Sequence, residues 1–333
     1  MLTRSAVLEG AARHVAARVL GGRAWSSVTY LVTLRCNVAC PYCDFPRHAG
    51  SELGTADALR LLRGLRAGGT FRLGVSGGAP LLRADLPEIL GAAASLGFVT
   101  SLVTNGILLR DRAREVSRVD YLLATIEGAR ATHDRVRGRG SWDLTVEGLG
   151  AVLRLPGPAL GLICPLHAGN VDDIEEPIRL AEELGARVFF QPVEVRLGWA
   201  GEPFLGTLAA ERVREAFARI LAFKRSGRPV GNSRRYLEIL TAREVEPLGE
   251  RCPAGRFVVT VLPDGRVTPC CIPSFDTAER IRDLDHPSRT PVRGPGEWCR
   301  GCTISPYLEN YLMFKPDPSV WLEALRWRRG RPS

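Results

Sequence analysis

The chain has 333 residues, 45% of them hydrophobic, and a mean hydropathy of -0.02, which indicates a globular protein with one large core and a smaller unit. No apolar run reaches the length of a membrane span and no secretory segment is seen, so we expect a cytoplasmic protein. Lys and Arg outnumber Asp and Glu by 45 to 36, giving a net charge of +9, but the arginines are scattered without interleaved aromatic residues, which argues against nucleic acid as a partner.

An amphipathic helix is predicted over residues 7–20, within an N-terminal extension assigned to residues 1–27. A β-rich run follows, and after it stand Cys36, Cys40 and Cys43 in the spacing Cys-x-x-x-Cys-x-x-Cys. Three thiolates can hold three irons of a cubane [4Fe-4S] cluster and leave one iron open to a non-protein ligand. A zinc site or a disulfide pair is the alternative. Zinc sites usually pair two Cys-x-x-Cys clamps and cytosolic thiols stay reduced, so the spacing favours the cluster.

Strand-like and helix-like stretches alternate between residues 28 and 195, which is typical of βαβ units around a parallel sheet. The predicted strands are Val28 to Leu34, Phe71 to Val75, Val99 to Thr104, Tyr121 to Ile126, Leu160 to Pro165 and Arg187 to Val193. Helices are predicted over Thr55 to Ala67, Asp85 to Leu96 and Asn170 to Leu184, where Pro177 can split the last one. Right-handed crossovers would close these units into an α/β fold, a partial (β/α)6 TIM-like barrel over residues 28–205.

Short polar segments stand at the ends of successive predicted strands, where a barrel has its active face. They are Ser76-Gly77-Gly78-Ala79-Pro80, Thr104-Asn105-Gly106, Thr125-Ile126-Glu127-Gly128 and, shortly after, His133-Asp134-Arg135-Val136-Arg137-Gly138. Each segment alone is typical of an ordinary turn, and the His-Asp pair is equally compatible with a capping role. Their recurrence at one edge of the sheet favours a ligand site, since glycines let a ligand approach the backbone.

Four late cysteines, Cys252, Cys270, Cys299 and Cys302, follow a predicted helical bridge and linker over residues 206–245. Alternating residues at 257–262 and the turn signal at 263–265 predict a β-hairpin just before Cys270. A hairpin followed by a Cys-x-x-Cys loop can bring four thiolates onto one cluster, and a zinc ribbon is the structural alternative. We assign this cysteine-rich unit to residues 246–310 and a C-terminal helix with a basic tail to residues 311–333.

Two further cysteines have no place in these sets. Cys271 adjoins Cys270 and is predicted to be a packed thiol, because it cannot readily reach the same iron. Cys164 lies at the end of the fifth predicted strand, where an inward-facing thiol could donate a hydrogen atom to a bound substrate. An inert buried cysteine is the alternative, and the residue type favours it.

The loop Cys36-Asn37-Val38-Ala39-Cys40-Pro41-Tyr42-Cys43 resembles the cluster loop of the radical S-adenosylmethionine (radical SAM) superfamily. The resemblance implies that SAM chelates the open iron, that one electron cleaves its sulfonium, and that a 5′-deoxyadenosyl radical takes a hydrogen atom from the substrate. The segments at the strand ends resemble the family's cofactor motifs and imply a SAM-binding set of Tyr42, Ser76, Gly77, Gly78, Asn105, Thr125 and Arg137. Ala79 departs from the family pattern, which has glutamate there, so one charge-assisted hydrogen bond to the methionine amino group is missing.

The late cysteines resemble the twitch domain, the shortened form of the SPASM extension found in the same superfamily. That resemblance implies a second, auxiliary [4Fe-4S] cluster on Cys252, Cys270, Cys299 and Cys302. A cluster with four protein thiolates is better suited to accept an electron from a substrate radical than to bind substrate, which favours a net oxidation.

The expected function is therefore a radical SAM oxidation or epimerisation of a small-molecule substrate, such as a sugar or another natural product, with flavodoxin or ferredoxin as electron donor. A peptide maturase that forms a crosslink or an epimerised residue is the second enzyme hypothesis. About 35 residues precede Cys36, which is too few for a separate peptide-recognition domain. This makes the peptide hypothesis less favoured than the small-molecule one. A non-catalytic iron–sulfur or zinc-binding protein is the alternative of another class. It explains Ala79 but leaves an open-iron loop at the start of a barrel unexplained.

Overall fold

A computed structural model describes most of the chain. The described residues are 12, 14–16, 20, 22–193, 208–242, 252–270, 275, 278–294, 302–305, 308–309 and 312. Most of the helix predicted over residues 7–20, together with Cys271, Cys299 and the basic tail at 326–331, lies outside them. No helix in the described part has the length and apolar character that crossing a membrane requires.

One mixed sheet organises the described chain, with nine strands in the order β6-β5-β4-β3-β2-β1-β7-β8-β9. In chain order the strands are β1 (Ser27–Thr33), β2 (Arg72–Gly77), β3 (Val99–Thr104), β4 (Tyr121–Thr125), β5 (Ala159–Leu166), β6 (Arg187–Pro192), β7 (Val258–Val261), β8 (Arg266–Thr268) and β9 (Glu279–Arg280). Strands β1 to β6 pair in parallel, which confirms the partial (β/α)6 barrel. All six predicted strands are present: β3 has the predicted bounds, and the ends of the others differ by at most two residues.

The predicted C-terminal hairpin is formed by β7 and β8, which pair antiparallel. The sequence did not indicate where this hairpin attaches. Strand β7 pairs in parallel with β1, with Ser27 opposite Val258 and Tyr30 opposite Val261. The hairpin therefore extends the sheet of the barrel at the edge of its first strand.

Eight α-helices are described. They are α1 (Thr55–Ala67), α2 (Leu86–Ser95), α3 (Leu109–Val116), α4 (Arg130–Arg137), α5 (Ser141–Leu153), α6 (Glu175–Glu183), α7 (Ala210–Arg225) and α8 (Arg234–Thr241). Helix α1 has the predicted bounds, and α2 ends at Ser95, shortly before Gly97 in the left-handed region.

Helix α6 begins five residues later than predicted, at Glu175, and Pro177 does not split it. The Asn170 side chain accepts a hydrogen bond from the backbone N–H of His167 and donates to the carbonyl oxygens of Glu127 and Pro165, which holds the preceding residues in a loop. Pro177 is the third helical residue, where no intrahelical N–H bond is lost.

The two faces of the barrel strands differ in burial. In β4 and β6, residues facing the helices, such as Leu122 and Phe190, are fully buried in the main apolar core. Their strand neighbours on the opposite face, Leu123 and Phe189, stay partly exposed. The barrel interior is thus the more open face, and the loops at the carboxyl ends of its strands have access to it.

Candidate active site

The loop after β1 brings the first three cysteines together. The backbone N–H of Cys43 donates to the carbonyl oxygen of Cys40 at 3.0 Å, which turns the chain back on itself. Burial raises the pKa of the Cys40 thiol to about 11, and Cys36 and Cys43 lie close enough to contribute to that rise. All three cysteines are half-buried, and none forms a disulfide.

The two glycines at the end of β2, Gly77 within the strand and Gly78 just after it, pack against the backbone of this cysteine loop. A Cβ atom on Gly77, whose φ is +139°, would lie 2.0 Å from the carbonyl oxygen of Thr33. A Cβ on Gly78 would lie 2.3 Å from the carbonyl oxygen of Arg35. Gly78 donates its N–H to Thr33 at 2.9 Å, so only glycine allows this close approach. Ser76, the remaining predicted residue of this segment, is half-exposed.

Ala79 stands where the cofactor motif of the radical SAM superfamily has a glutamate, and the Ala79 side chain is buried. Its N–H donates to the Arg35 carbonyl oxygen at 2.8 Å. Glu52, which the sequence did not single out, is a carboxylate near this loop. It accepts hydrogen bonds from the Thr33 hydroxyl at 2.5 Å and from Nε of Arg35 at 3.0 Å.

The turn after β3 also contacts the cysteine loop. The side-chain amide of Asn105 donates to Oδ1 of Asn37 at 2.8 Å and to the sulfur of Cys36 at 3.8 Å. Gly106 has a φ of +86° and donates its N–H to the Thr104 hydroxyl, which sets the tight turn. The Thr125 hydroxyl lies 3.5 Å from the Thr104 carbonyl oxygen and is buried. Asn105 and Thr125 therefore lie at the same end of the sheet as the cysteines.

A buried polar network centred on Glu127 lies under the cysteine loop, and sequence reasoning missed its central residue. The Glu127 carboxylate is fully buried and accepts a short hydrogen bond from the Tyr42 hydroxyl. Nε of Arg137 donates to the same carboxylate oxygen at 2.7 Å, and Nη2 of Arg137 donates to the Tyr42 hydroxyl at 3.0 Å. His167, also fully buried, lies 3.2 Å from the other carboxylate oxygen.

The charges of this network compensate one another. Burial alone would raise the pKa of Glu127, but the Arg137 guanidinium and the hydrogen bonds from His167, Tyr42 and Arg137 hold it below its usual value. Burial would lower the pKa of Arg137, yet Tyr42 and Glu127 keep it well above its usual value. Burial also raises the pKa of Tyr42. The site therefore holds an ionised Glu127 and Arg137 with a neutral tyrosine.

Three side chains of the segment His133 to Gly138, at the end of α4, have different hydrogen-bond partners. His133 accepts from the N–H of Glu127 at 3.3 Å through Nδ1, and burial lowers its pKa to about 4. Asp134 accepts from the N–H groups of Gly140 and Trp142, at 2.9 Å each, at the start of α5. Arg137 binds Glu127. Of the two roles left open for the His-Asp pair, the capping role describes Asp134.

The late cysteines are partly described. Cys270 lies two residues after the end of β8 and Cys302 lies near the end of the described chain. Both are buried, whereas Cys252 is half-buried. All three belong to or pack on the main apolar core. Cys299 lies outside the described residues, so the four-cysteine site stays a prediction.

Cys164 is 1% exposed and belongs to the main apolar core. It lies on the same face of β5 as Leu162 and Leu166, opposite the partly exposed Ile163. Burial raises the pKa of its thiol well above the usual value. This placement favours a packed thiol over a hydrogen donor that reaches substrate inside the barrel.

The donor set of the cysteine loop fits an iron–sulfur cluster. Cys36, Cys40 and Cys43 lie close together in one loop, are half-buried and form no disulfide, and each thiolate can ligate a separate iron of a cubane. In the part of the chain that the structure describes, no group of three or more histidine, cysteine or carboxylate side chains is placed to hold a metal ion.

The sequence model of the radical SAM superfamily matches residues 30–181, which include the cysteine loop and most of the barrel. A PqqA peptide cyclase of Ruegeria pomeroyi is 31% identical over 286 residues, covering 83% of this chain and 74% of that protein. A PqqA peptide cyclase of Methylobacterium sp. (strain 4-46) is 29% identical over 249 residues, covering 72% of this chain and 65% of that protein.

Solved structures show the same fold. Streptococcus suis SuiB bound to S-adenosylmethionine matches with a TM-score of 0.64 and 14% identity, over 79% of this chain and 64% of SuiB. The enzyme anSMEcpe with bound AdoMet and Kp18Cys peptide matches with a TM-score of 0.63 and 14% identity, over 79% of this chain and 80% of that one.

Proposed function

The chain belongs to the radical SAM superfamily, and from that premise we propose that it modifies a peptide, joining two of its side chains by a new covalent bond. The observation that carries this proposal is the similarity to PqqA peptide cyclases, which extends over 83% of the chain and therefore beyond the cysteine loop and barrel. The substrate would be a peptide made separately from the enzyme.

The sequence motifs predict the oxidation or epimerisation of a small molecule. The comparisons instead favour the second hypothesis, that the substrate is a peptide. A separate partner protein that delivers the peptide would supply its recognition. The fold neighbours SuiB and anSMEcpe have each been solved with a peptide bound, which is compatible with a peptide substrate for this chain.

When bound, a [4Fe-4S] cluster and SAM would supply the electron and the 5′-deoxyadenosyl radical that removes a hydrogen atom from the peptide. Cys36, Cys40 and Cys43 would hold three irons of this cluster. Gly77 and Gly78 would keep the loop after β2 close to the cysteine loop. Asn105 would orient Cys36 through its side-chain amide. Ser76, Tyr42, Thr125 and Arg137 complete the proposed SAM-binding set.

Crosslink formation removes two hydrogen atoms from the peptide. The first would go to the 5′-deoxyadenosyl radical as a hydrogen atom, and the second would leave as a proton, released to solvent, and one electron. We assign its acceptor to an auxiliary [4Fe-4S] cluster on Cys252, Cys270, Cys299 and Cys302. An external donor such as flavodoxin or ferredoxin would reduce the catalytic cluster.

Anaerobic reconstitution with iron and sulfide, followed by metal analysis and a dithionite assay for 5′-deoxyadenosine, tests the radical step. Two cubane clusters require about eight irons per chain. The Cys36→Ala, Cys40→Ala, Cys43→Ala variant should retain about half of the iron and lose SAM cleavage. Zinc in place of iron, or no cleavage by a fully loaded enzyme, would instead support the non-catalytic metal-binding alternative.

Co-expression with short peptides encoded beside the gene tests the substrate class. Mass spectrometry should show loss of two hydrogen atoms from one peptide, and fragmentation should show a linkage between two of its residues. An unchanged mass with inverted stereochemistry would indicate epimerisation instead.

A further inference from the structure

The Glu127 network connects the cysteine loop to the wall of the barrel through one side chain of the loop, Tyr42. The Tyr42 hydroxyl contacts both Glu127 and Arg137. Arg137 belongs to α4, and Glu127 lies in the loop after β4. The imidazole of His167, at the end of β5, contacts the same Glu127 carboxylate. Elements far apart in sequence thus meet at a single buried carboxylate.

Buried charges act over longer distances than exposed ones because water does not screen them. The Glu127 side chain is 0% exposed and the Arg137 side chain 7% exposed. Both act electrostatically on the Cys40 thiol, in opposite directions. A cluster ligated there would experience the positive charge of Arg137 and the negative charge of Glu127 together.

The sign of each contribution follows from the charge of the reduced cluster, which is one unit more negative than the oxidised one. A nearby positive charge stabilises the reduced form and raises the reduction potential, and a nearby negative charge lowers it. Cleavage of a sulfonium by one electron requires a strong reductant, so an unpaired Arg137 would act against the reaction.

We propose that Glu127 is a positioning residue of the catalytic cluster: it holds Tyr42 and offsets the charge of Arg137, which keeps the reduction potential low. The proposal rests on the function assigned above, because it presupposes a cluster on Cys36, Cys40 and Cys43. It adds an electrostatic role for a residue outside the cysteine and cofactor motifs.

Redox titration of reconstituted protein, followed by EPR of the reduced cluster, tests the proposal without measuring activity. Glu127→Gln keeps the shape and removes the negative charge, so the potential should rise. Arg137→Met removes the positive charge, so the potential should fall. The double variant Glu127→Gln, Arg137→Met removes both charges and should return close to the wild-type value.

Two control variants separate charge from contact. Tyr42→Phe removes the hydroxyl and keeps both charges, so it should shift the potential far less than Glu127→Gln. Asp143→Asn makes the same charge change in an exposed pair with Arg130, where solvent screens it, and should leave the potential unchanged.

Each outcome decides one point. If the wild-type protein assembles no cluster on the three cysteines, the proposed function and this inference both fail. If it assembles the cluster and all variants share one potential, this inference alone is overturned. If Glu127→Gln does not fold, Arg137→Met and the double variant still decide, because the proposal requires the lower potential in Arg137→Met.

Discussion

Asn105 donates its side-chain amide to the sulfur of Cys36, with 3.8 Å between Nδ2 and Sγ. The same nitrogen donates to Asn37, so the turn after β3 is joined directly to the first cysteine of the loop after β1. A donor to a ligand sulfur withdraws negative charge from it, which stabilises a reduced cluster.

We therefore expect Asn105→Ala to lower the reduction potential of the reconstituted cluster, measured by EPR titration. Iron content should stay near the wild-type value because all three thiols remain. Thr145→Val is the matched control. It removes the hydroxyl that donates to the Asn105 carbonyl oxygen at 3.0 Å and leaves the amide in place, so the potential should not move. A potential that stays constant in Asn105→Ala would show that the amide does not act on the cluster.

Gly78→Ala should damage the cysteine loop. The new methyl group would lie 2.3 Å from the Arg35 carbonyl oxygen, so the backbone of the loop has to move, at a cost of about 1–3 kcal/mol in unfolding free energy. Iron incorporation after reconstitution should fall with it. Gly50→Ala is the control because it lies outside the helices and strands and the nearest atom to its added Cβ is 4.0 Å away, so urea unfolding should show little change. Equal stability and equal iron content in both variants would contradict the close packing of Gly78.

Asp134→Asn should weaken the start of α5 by about 1 kcal/mol at neutral pH, because the carboxylate accepts from two backbone N–H groups and the Ser141 hydroxyl. Burial opposes ionisation, but these hydrogen bonds hold the pKa of Asp134 below its ordinary 3.8. The contribution is therefore complete above pH 3.8 and is lost as the pH falls through the lower folded-state value.

Urea titrations of wild type and Asp134→Asn, from neutral pH downwards, measure this dependence. The stability difference should be constant at first and then close in acid. Asp143→Asn, which changes an exposed carboxylate of the same helix, should show a difference below about 0.5 kcal/mol. A difference that widens in acid would contradict the assigned sign.

Cys164→Ala should leave SAM cleavage and peptide modification intact, because the thiol is packed in the core rather than presented to substrate. Cys164→Ser should unfold more easily than Cys164→Ala, since a hydroxyl buried among apolar groups costs about 1–3 kcal/mol without a partner. Thermal unfolding and peptide mass spectrometry measure the two effects. Loss of product in both variants, with SAM cleavage retained, would support the hydrogen-donor role.

Local patterns predicted the barrel well because each unit carries its own signals. Helix α1 has an apolar stripe between Gly54 and Gly68, and its predicted bounds agree with the structure. Helix α6 began later than predicted because Asn170 bonds to residues distant in sequence, and no local pattern contains that information. Helices α4 and α5 were not predicted, since they are joined through Gly138 and Gly140, which read as a turn.

The cysteine loop and its contacts were predicted in part. Spacing alone grouped Cys36, Cys40 and Cys43, and the turn after β3 placed Asn105 near them. The sequence indicates Glu127 only as part of a turn, because its partners come from a loop, a helix and the end of a strand. Arg137 belongs to the predicted SAM-binding set. A carboxylate just after a buried strand is the sequence feature that could have identified Glu127 as its partner.

The pairing of β7 with β1 has a consequence for how the chain folds. Strand β1 is made early, but one of its two neighbours is synthesised only after the whole barrel. Until residues 258–261 emerge, β1 presents an unsatisfied edge beside the loop that carries the catalytic cysteines. The paired residues of β1 and β7 are far apart in sequence, and pairing of that kind forms slowly. The first strand of the barrel is therefore one of the last to gain both of its neighbouring strands.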